Sequence, residues 1–148
     1  MEQQSKTTSL VDANNLILGR MATVVAKRLL QGERVTILNA EKAVISGTRE
    51  RIVKRGKERL EIGHPRKGPY FPRRPDGIVK RTIRGMLPRR KPKGKESHKR
   101  LQVFIGVPRE FKDSSPETIK EAQAEKLKCR YIRLEDLANE LGWSSLGG

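Results

Sequence analysis

The residue types that could move protons, attack an electrophile or hold a metal are few and scattered. His64 and His98 are the two histidines and Cys129 the single cysteine of this 148-residue chain. Their spacing makes no zinc pattern. Both histidines are expected in basic loops, where a solvent or phosphate contact is a simpler role than general base. Asp12 closes a predicted strand, the usual place for a catalytic acid in an α/β fold, but a lone acid there more often serves a turn or cap. The dinucleotide fingerprint is missing, because the first strand-to-helix connection holds only Gly19, followed by Arg20. No Gly-Lys pair precedes Ser or Thr, so there is no phosphate-binding P-loop either. No nucleophile–base pair can be assembled.

The chemistry the sequence does supply is electrostatic. Lys and Arg number 33 against 17 acids, a formal charge of +16. Residues 1–64 are net +5 and residues 101–148 net −1, whereas residues 65–100 hold 14 basic and 2 acidic groups, net +12. A solvated surface mixes signs to limit repulsion; here the signs segregate, and a polyanion must neutralise the excess. Nucleic acid is the first candidate and an anionic membrane surface the second. The candidate contacts are Arg20, then Arg66, Lys67, Tyr70, Arg73 and Arg74 in a Pro-rich stretch. They continue with Lys80, Arg81 and Arg84 on a predicted helix, and with Arg89, Arg90, Lys91, Lys93, Lys95, Lys99 and Arg100 beyond its end. Tyr70 and Phe71 stand among these cations. Aromatics so placed stack on unpaired bases or pack their loop onto the domain, and packing of at least one is the favoured reading.

The elements that would position these groups are read from periodicity. SLVD at 9–12 is a short strand. In LGRMATVVAKRLLQG the residues Leu18, Met21, Ala22, Val25, Ala26 and Leu29 form one apolar stripe, which predicts a helix that Asn14 or Asn15 would cap and Gly32 would end. RVTILN at 34–39 barely alternates, as a strand covered on both faces does. Strand, helix and strand make a parallel βαβ unit. Residues 43–45 add an extended piece or a turn. Residues 48–60 read as a helix with Ile52, Gly56 and Leu60 at spacing four.

Residues 63–75, with four prolines and two glycines, form an irregular excursion. DGIVKRTIRGML at 76–87 predicts a helix capped by Asp76, with Ile78, Val79, Ile83, Met86 and Leu87 facing the core. Pro88 stops it, and Pro92 and Gly94 predict a loose cationic coil over 88–100. LQVFIGV at 101–107 predicts the central strand. Ser115-Pro116 would open a helix to about residue 126. Residues 130–134 read as extended, and EDLANEL at 135–141 as a terminal helix closed by Gly142, with Trp143 docking it.

These blocks match a known family. DANNLILGRMATVVAKRLLQGERVTILNAEKAVISG and GPYFPRRPDGIVKRTIRGMLPRRKPKG, together spanning residues 12–94, resemble the universal ribosomal protein thirteen of the large subunit. Arg84-Gly85-Met86-Leu87-Pro88 and Asn39-Ala40-Glu41 are the most specific pieces. The last forty residues and the wording RRPDGIVKRTIRGMLP resemble the archaeal and eukaryotic branch. The resemblance implies a three-layer α/β/α domain around a mostly parallel sheet of about four strands, Rossmann-like in shape without a nucleotide site. It also implies a place on the large subunit, contact with large-subunit rRNA and neighbouring ribosomal proteins, early assembly and no catalysis. Some family members bind messenger RNA outside the ribosome.

The expectation is therefore one domain over residues 1–148 with a basic loop-helix-coil excursion at 63–100. Its partner is rRNA, with no cofactor, metal, small-molecule substrate or membrane. The single cysteine and the lack of an apolar leader or an 18-residue apolar run fit a cytosolic protein. The competing reading is a small α/β enzyme acting on nucleic acid. It would need clustered carboxylates for a metal, and the basic segment has only Asp76 and Glu96.

Overall fold

The computed structural model describes residues 8–64, 66–68 and 70–144. The βαβ unit forms as its apolar pattern requires: β1 (Thr8–Asp12), α1 (Leu18–Leu30) and β2 (Arg34–Leu38), with the strands parallel in register from Thr8↔Arg34 to Asp12↔Leu38. The predicted stripe of α1 is the buried face. Ile17, and neither asparagine, is its N-cap, because Asn15 is used in a left-handed turn (φ 58°). At the other end Gly32 (φ 97°) donates to Leu29 and Glu33 donates to Arg28, a Schellman closure. Val35, Thr36, Ile37 and Leu38 are all buried, so β2 is covered on both faces.

β2, and not the LQVFIGV strand, is central. The sheet order is β1-β2-β4, with β4 (Leu101–Val103) parallel to β2 at an edge. The ladder stops at Ile37↔Val103, one residue before β2 ends at Leu38, and Asn39 then turns left-handed (φ 56°). The chain beyond β4 stays tied: Phe104 donates to Ile37 (2.8 Å), and Asn39 donates to Gly106 (3.0 Å), itself in a turn with φ 69°. β3 (Val44–Ser46) and β5 (Tyr131–Arg133) form a second, antiparallel pair, so the expected extended pieces at 43–45 and 130–134 are strands. Three strands make the parallel sheet where about four were expected.

The helix expected over 116–126 is absent. Its place is taken by two 3-10 turns, Lys120–Ala122 and Ala124–Lys126. The segment lacks an apolar stripe, and its backbone bonds to neighbours instead. Glu117 pairs with Leu10 and Asp12, and Ala122 accepts from Ile17.

Four more helices complete the body: α2 (Arg49–Glu61), α3 (Pro75–Gly85), α4 (Pro92–Lys99) and α5 (Leu134–Glu140). Gly56 is buried where α2 meets α5; a Cβ there would stand 3.1 Å from Leu141 and 3.3 Å from Leu137. Gly142 (φ 108°) ends α5, and half-buried Trp143 donates its N–H to Ala138. Met21, Val25, Ile37, Val79, Ile83 and Leu134 belong to one continuous core.

Two corrections concern the basic segment. The cap of α3 is Arg74, two residues before the expected Asp76, and the helix begins at Pro75. Proline fits there because the first helical N–H has no partner. Asp76 lies inside the first turn, accepting from Gly77 N–H (2.9 Å). Ile78, Val79, Ile83 and Leu87 are buried as expected, but Met86 is 43% exposed, beyond the end of the helix.

The expected coil over 88–100 is largely helix. Pro92 starts α4 for the same reason that Pro75 starts α3. Gly94 is needed by close approach, since a Cβ would lie 2.1 Å from the Pro88 carbonyl oxygen. Ser97 is fully buried and donates to Lys93 O (2.7 Å). Arg100 donates to Leu29 O (2.6 Å) and to Ser97 Oγ (3.1 Å), tying the end of α4 to the end of α1.

Candidate nucleic-acid interface

The irregular excursion is held to α3 through its own aromatics. The Arg81 guanidinium donates to Tyr70 O (3.2 Å) and lies 4.9 Å from the centre of the Phe71 ring. Arg59 of α2 lies 5.2 Å from the same ring. Phe71 is therefore a half-buried packing residue, while Tyr70 leaves 65% of its surface exposed. His64 organises the turn rather than a reaction: its backbone pairs with Gly68 in both directions, and its Nδ1 accepts from Arg66 N–H (3.1 Å).

Helical spacing and the packing of α4 bring the middle cations together. Burial pulls the Arg81 pKa below its usual value, and the nearby positive charges of Arg84, Arg89 and Arg59 add to this. Partial burial, then Lys80 and Arg84, depress His98 in the same sense. Groups from the 76–87 and 88–100 stretches, with Arg59 of α2, thus share one repulsive neighbourhood. Arg84 is half-buried, and its Nε is buried with no hydrogen-bond partner among the described residues. Such a clustered field of guanidinium and ammonium groups is suited to hold phosphates, for which Arg offers paired N–H donors.

The other sequence candidates divide. Arg66, Lys67, Arg73, Arg74, Lys80, Arg89, Arg90, Lys91, Lys93, Lys95 and Lys99 are exposed on the excursion, α3, α4 and their connection. Arg74 also approaches Asp76 at 3.4 Å. Arg100 is turned inward: one of its guanidinium nitrogens donates to Leu29 O and Ser97 Oγ, and its Nε, like that of Arg84, is buried with no hydrogen-bond partner among the described residues. Arg20 sits apart, at the exposed start of α1, on a groove that it shares with Arg51, Arg55 and Arg59 of α2. Those α2 cations are not among the contacts expected from sequence. Their spacing of four is as legible as that of Ile52, Gly56 and Leu60, but they fall in a part of the chain whose net charge is modest.

The carboxyl ends of the parallel strands, where an α/β enzyme would place its site, are occupied by internal bonds. Asp12 Oδ1 accepts from Asn14 N–H and from Asn39 Nδ2, both at 3.0 Å, so this acid serves the turn. Glu41 accepts from Gly106 N–H (2.9 Å). Among the described residues no three His, Cys, Asp or Glu side chains are grouped as metal ligands, and no helix is long and apolar enough to cross a membrane.

A parallel-sheet body whose strand-end crevice is closed by internal bonds, with cations massed on its excursion, defines a basic α/β protein. Comparison with known proteins narrows this. Residues 6–110 match the family model described as ribosomal protein L13. The chain is 43% identical over 143 residues to the large ribosomal subunit protein uL13 of Methanopyrus kandleri, covering 95% of this chain and 90% of that one. It is 49% identical to the uL13 of Methanosarcina barkeri and 45% identical to that of Methanocaldococcus jannaschii, in each case over 90% of this chain and 97% of the relative. The chain belongs to the ribosomal protein L13 family.

Proposed function

We propose that this protein is a structural constituent of the large ribosomal subunit, working in the cytoplasm, and that it binds large-subunit rRNA and neighbouring ribosomal proteins without catalysing a reaction. Family membership over most of the chain carries this reading. The placement of the cations supports the RNA part. The exposed groups of the excursion and α4 contact phosphates, with Lys80, Arg81 and Arg84 of α3 behind them. Arg20 contributes from a separate edge, and Arg100 contributes indirectly by seating α4. Tyr70 is the aromatic placed to meet a base face, since 65% of its surface is exposed.

The whole chain acts as one domain, with residues 63–100 as its RNA-facing excursion. Its body is a three-layer α/β/α arrangement, a reading that the burial of β2 on both faces supports. The parallel bridge of Glu117 to Val11, on β1, supports a rudimentary fourth strand.

The test is sedimentation of the native protein in a cell extract. Co-migration with large subunits, and its loss after RNase treatment, is the expected result; a free protein at the top of the gradient would overturn it. Magnesium-dependent cleavage of RNA by the purified protein would favour the enzyme instead.

A further inference from the structure

Of the α2 cations, Arg59 joins the charges around Arg81, whereas Arg51 and Arg55 are not among them. Arg51, Arg55 and Arg59 recur every fourth residue, so they rise along one side of the helix in steps of about 6 Å. With Arg20 they line a groove between the start of α1, α2 and α3 whose volume is about 990 Å³, at the top of the roughly 300–1,000 Å³ range of ligand clefts. Among the described residues, Glu58 is the one acid on its wall. Its floor is apolar, with half-buried Ile45, Ile52 and Phe71 among its residues.

We propose that this groove takes an unpaired segment of RNA, with its phosphates on Arg20, Arg51 and Arg55 and its bases on the apolar floor beside the Arg59–Phe71 stack. This rests on the RNA-binding reading above and adds the class of RNA that one face recognises. A duplex hides its base faces and offers phosphates on a convex surface, so an apolar-floored groove gains nothing from it. An unpaired strand brings both phosphates for the rim and ring faces for the floor, and guanidinium planes as well as aromatics stack on bases. The regular cation step along α2 suits a repeating polyanion better than a folded protein surface with isolated acids.

Arg51 and Arg55 are exposed, so their replacement leaves the core intact. The experiment measures binding of the full chain, at one fixed salt concentration, to a labelled eight-nucleotide oligouridylate and to a blunt RNA duplex. Arg51→Ala/Arg55→Ala should weaken the oligouridylate by roughly tenfold or more, as expected for loss of two charge-assisted contacts, and change duplex binding by less than about twofold. Lys93→Ala/Lys95→Ala should weaken the duplex and spare the single strand. Equal loss of both RNAs in the α2 variant would show only a general field and overturn the proposal, as would unchanged oligouridylate binding. Competition by an acidic amphipathic peptide that depends on Arg51 and Arg55, with the oligouridylate indifferent to them, would assign the groove to a protein. If wild-type protein binds neither RNA, the RNA-binding reading fails and this one with it; duplex binding without single-strand binding overturns this one alone.

Discussion

At the scale of single residues, neighbouring positions on α3 have opposite duties. Ile83 is fully buried in the core, and Arg84 beside it is half-buried, its guanidinium among other cations. Ile83→Asp places an unpaired carboxylate in an apolar site and should cost several kcal/mol, seen as a large drop in Tm or an insoluble product. Arg84→Ala should leave most of the stability and weaken RNA affinity, measurable by filter binding. Exchange of these phenotypes would mean that the helix is rotated from its assigned face.

His98 gives a second residue-scale test. Its folded pKa lies below the unfolded value of about 6.5, so the unfolded chain binds the proton more readily. Stability from this group is present above pH ~6.5 and is lost as pH falls through that value toward the folded pKa. His98→Gln should flatten Tm against pH in that window, and an unchanged slope would remove His98 as its cause.

At the scale of elements, the sequence is legible where one periodicity meets no competitor. The stripe of α1, the Schellman glycine at position 32 and the barely alternating β2 all form as the pattern requires, because packing rewards the same residues that propensity favours. It is least legible where long-range contacts decide. Pro92 and Gly94 look like breakers of a coil, yet Pro92 occupies the helical position that needs no N–H, and Gly94 is the residue that lets α4 sit against the Pro88 carbonyl. The first could be read from sequence by the rule applied to Pro116, but the second is not visible without the fold. The same holds for the segment after Ser115, whose backbone is claimed by β1 and the α1 entry.

The candidate site is legible as a charge excess, because electrostatics needs only composition, but its α2 component shows only as a spacing of four, outside the stretch where that excess is greatest. The seating of α4 changes what proteolysis should find. Lys93, Lys95 and Lys99 lie in a helix anchored by Ser97 and Arg100, so trypsin should cut the free protein first after Arg66 or Lys67 and spare the bonds of α4. Early cleavage within 93–99 would show that the anchor does not hold in solution. Gly94→Ala should abolish that resistance, because a methyl group cannot coexist with a backbone oxygen 2.1 Å away.

At the scale of the whole molecule, the governing quantity is the +16 charge. If about six phosphates are neutralised on duplex RNA, log K should fall with log salt at a slope near −5, each contact contributing roughly −0.9. A titration from low to moderate salt measures this directly, and a flat response would exclude phosphate as the main partner.

The crowding of like charges about α3, which adds to burial in depressing Arg81 and His98, has a separate meaning for the protein alone. Without its polyanion the folded chain holds unrelieved self-repulsion, which the expanded chain escapes. Added salt relieves that repulsion while it dissolves the complex. The two states of the same molecule thus answer ionic strength with opposite signs: the orphan protein grows firmer as the bound one lets go. A polyanion that binds the folded form would do for the orphan what salt does, and would so act as its folding counter-ion.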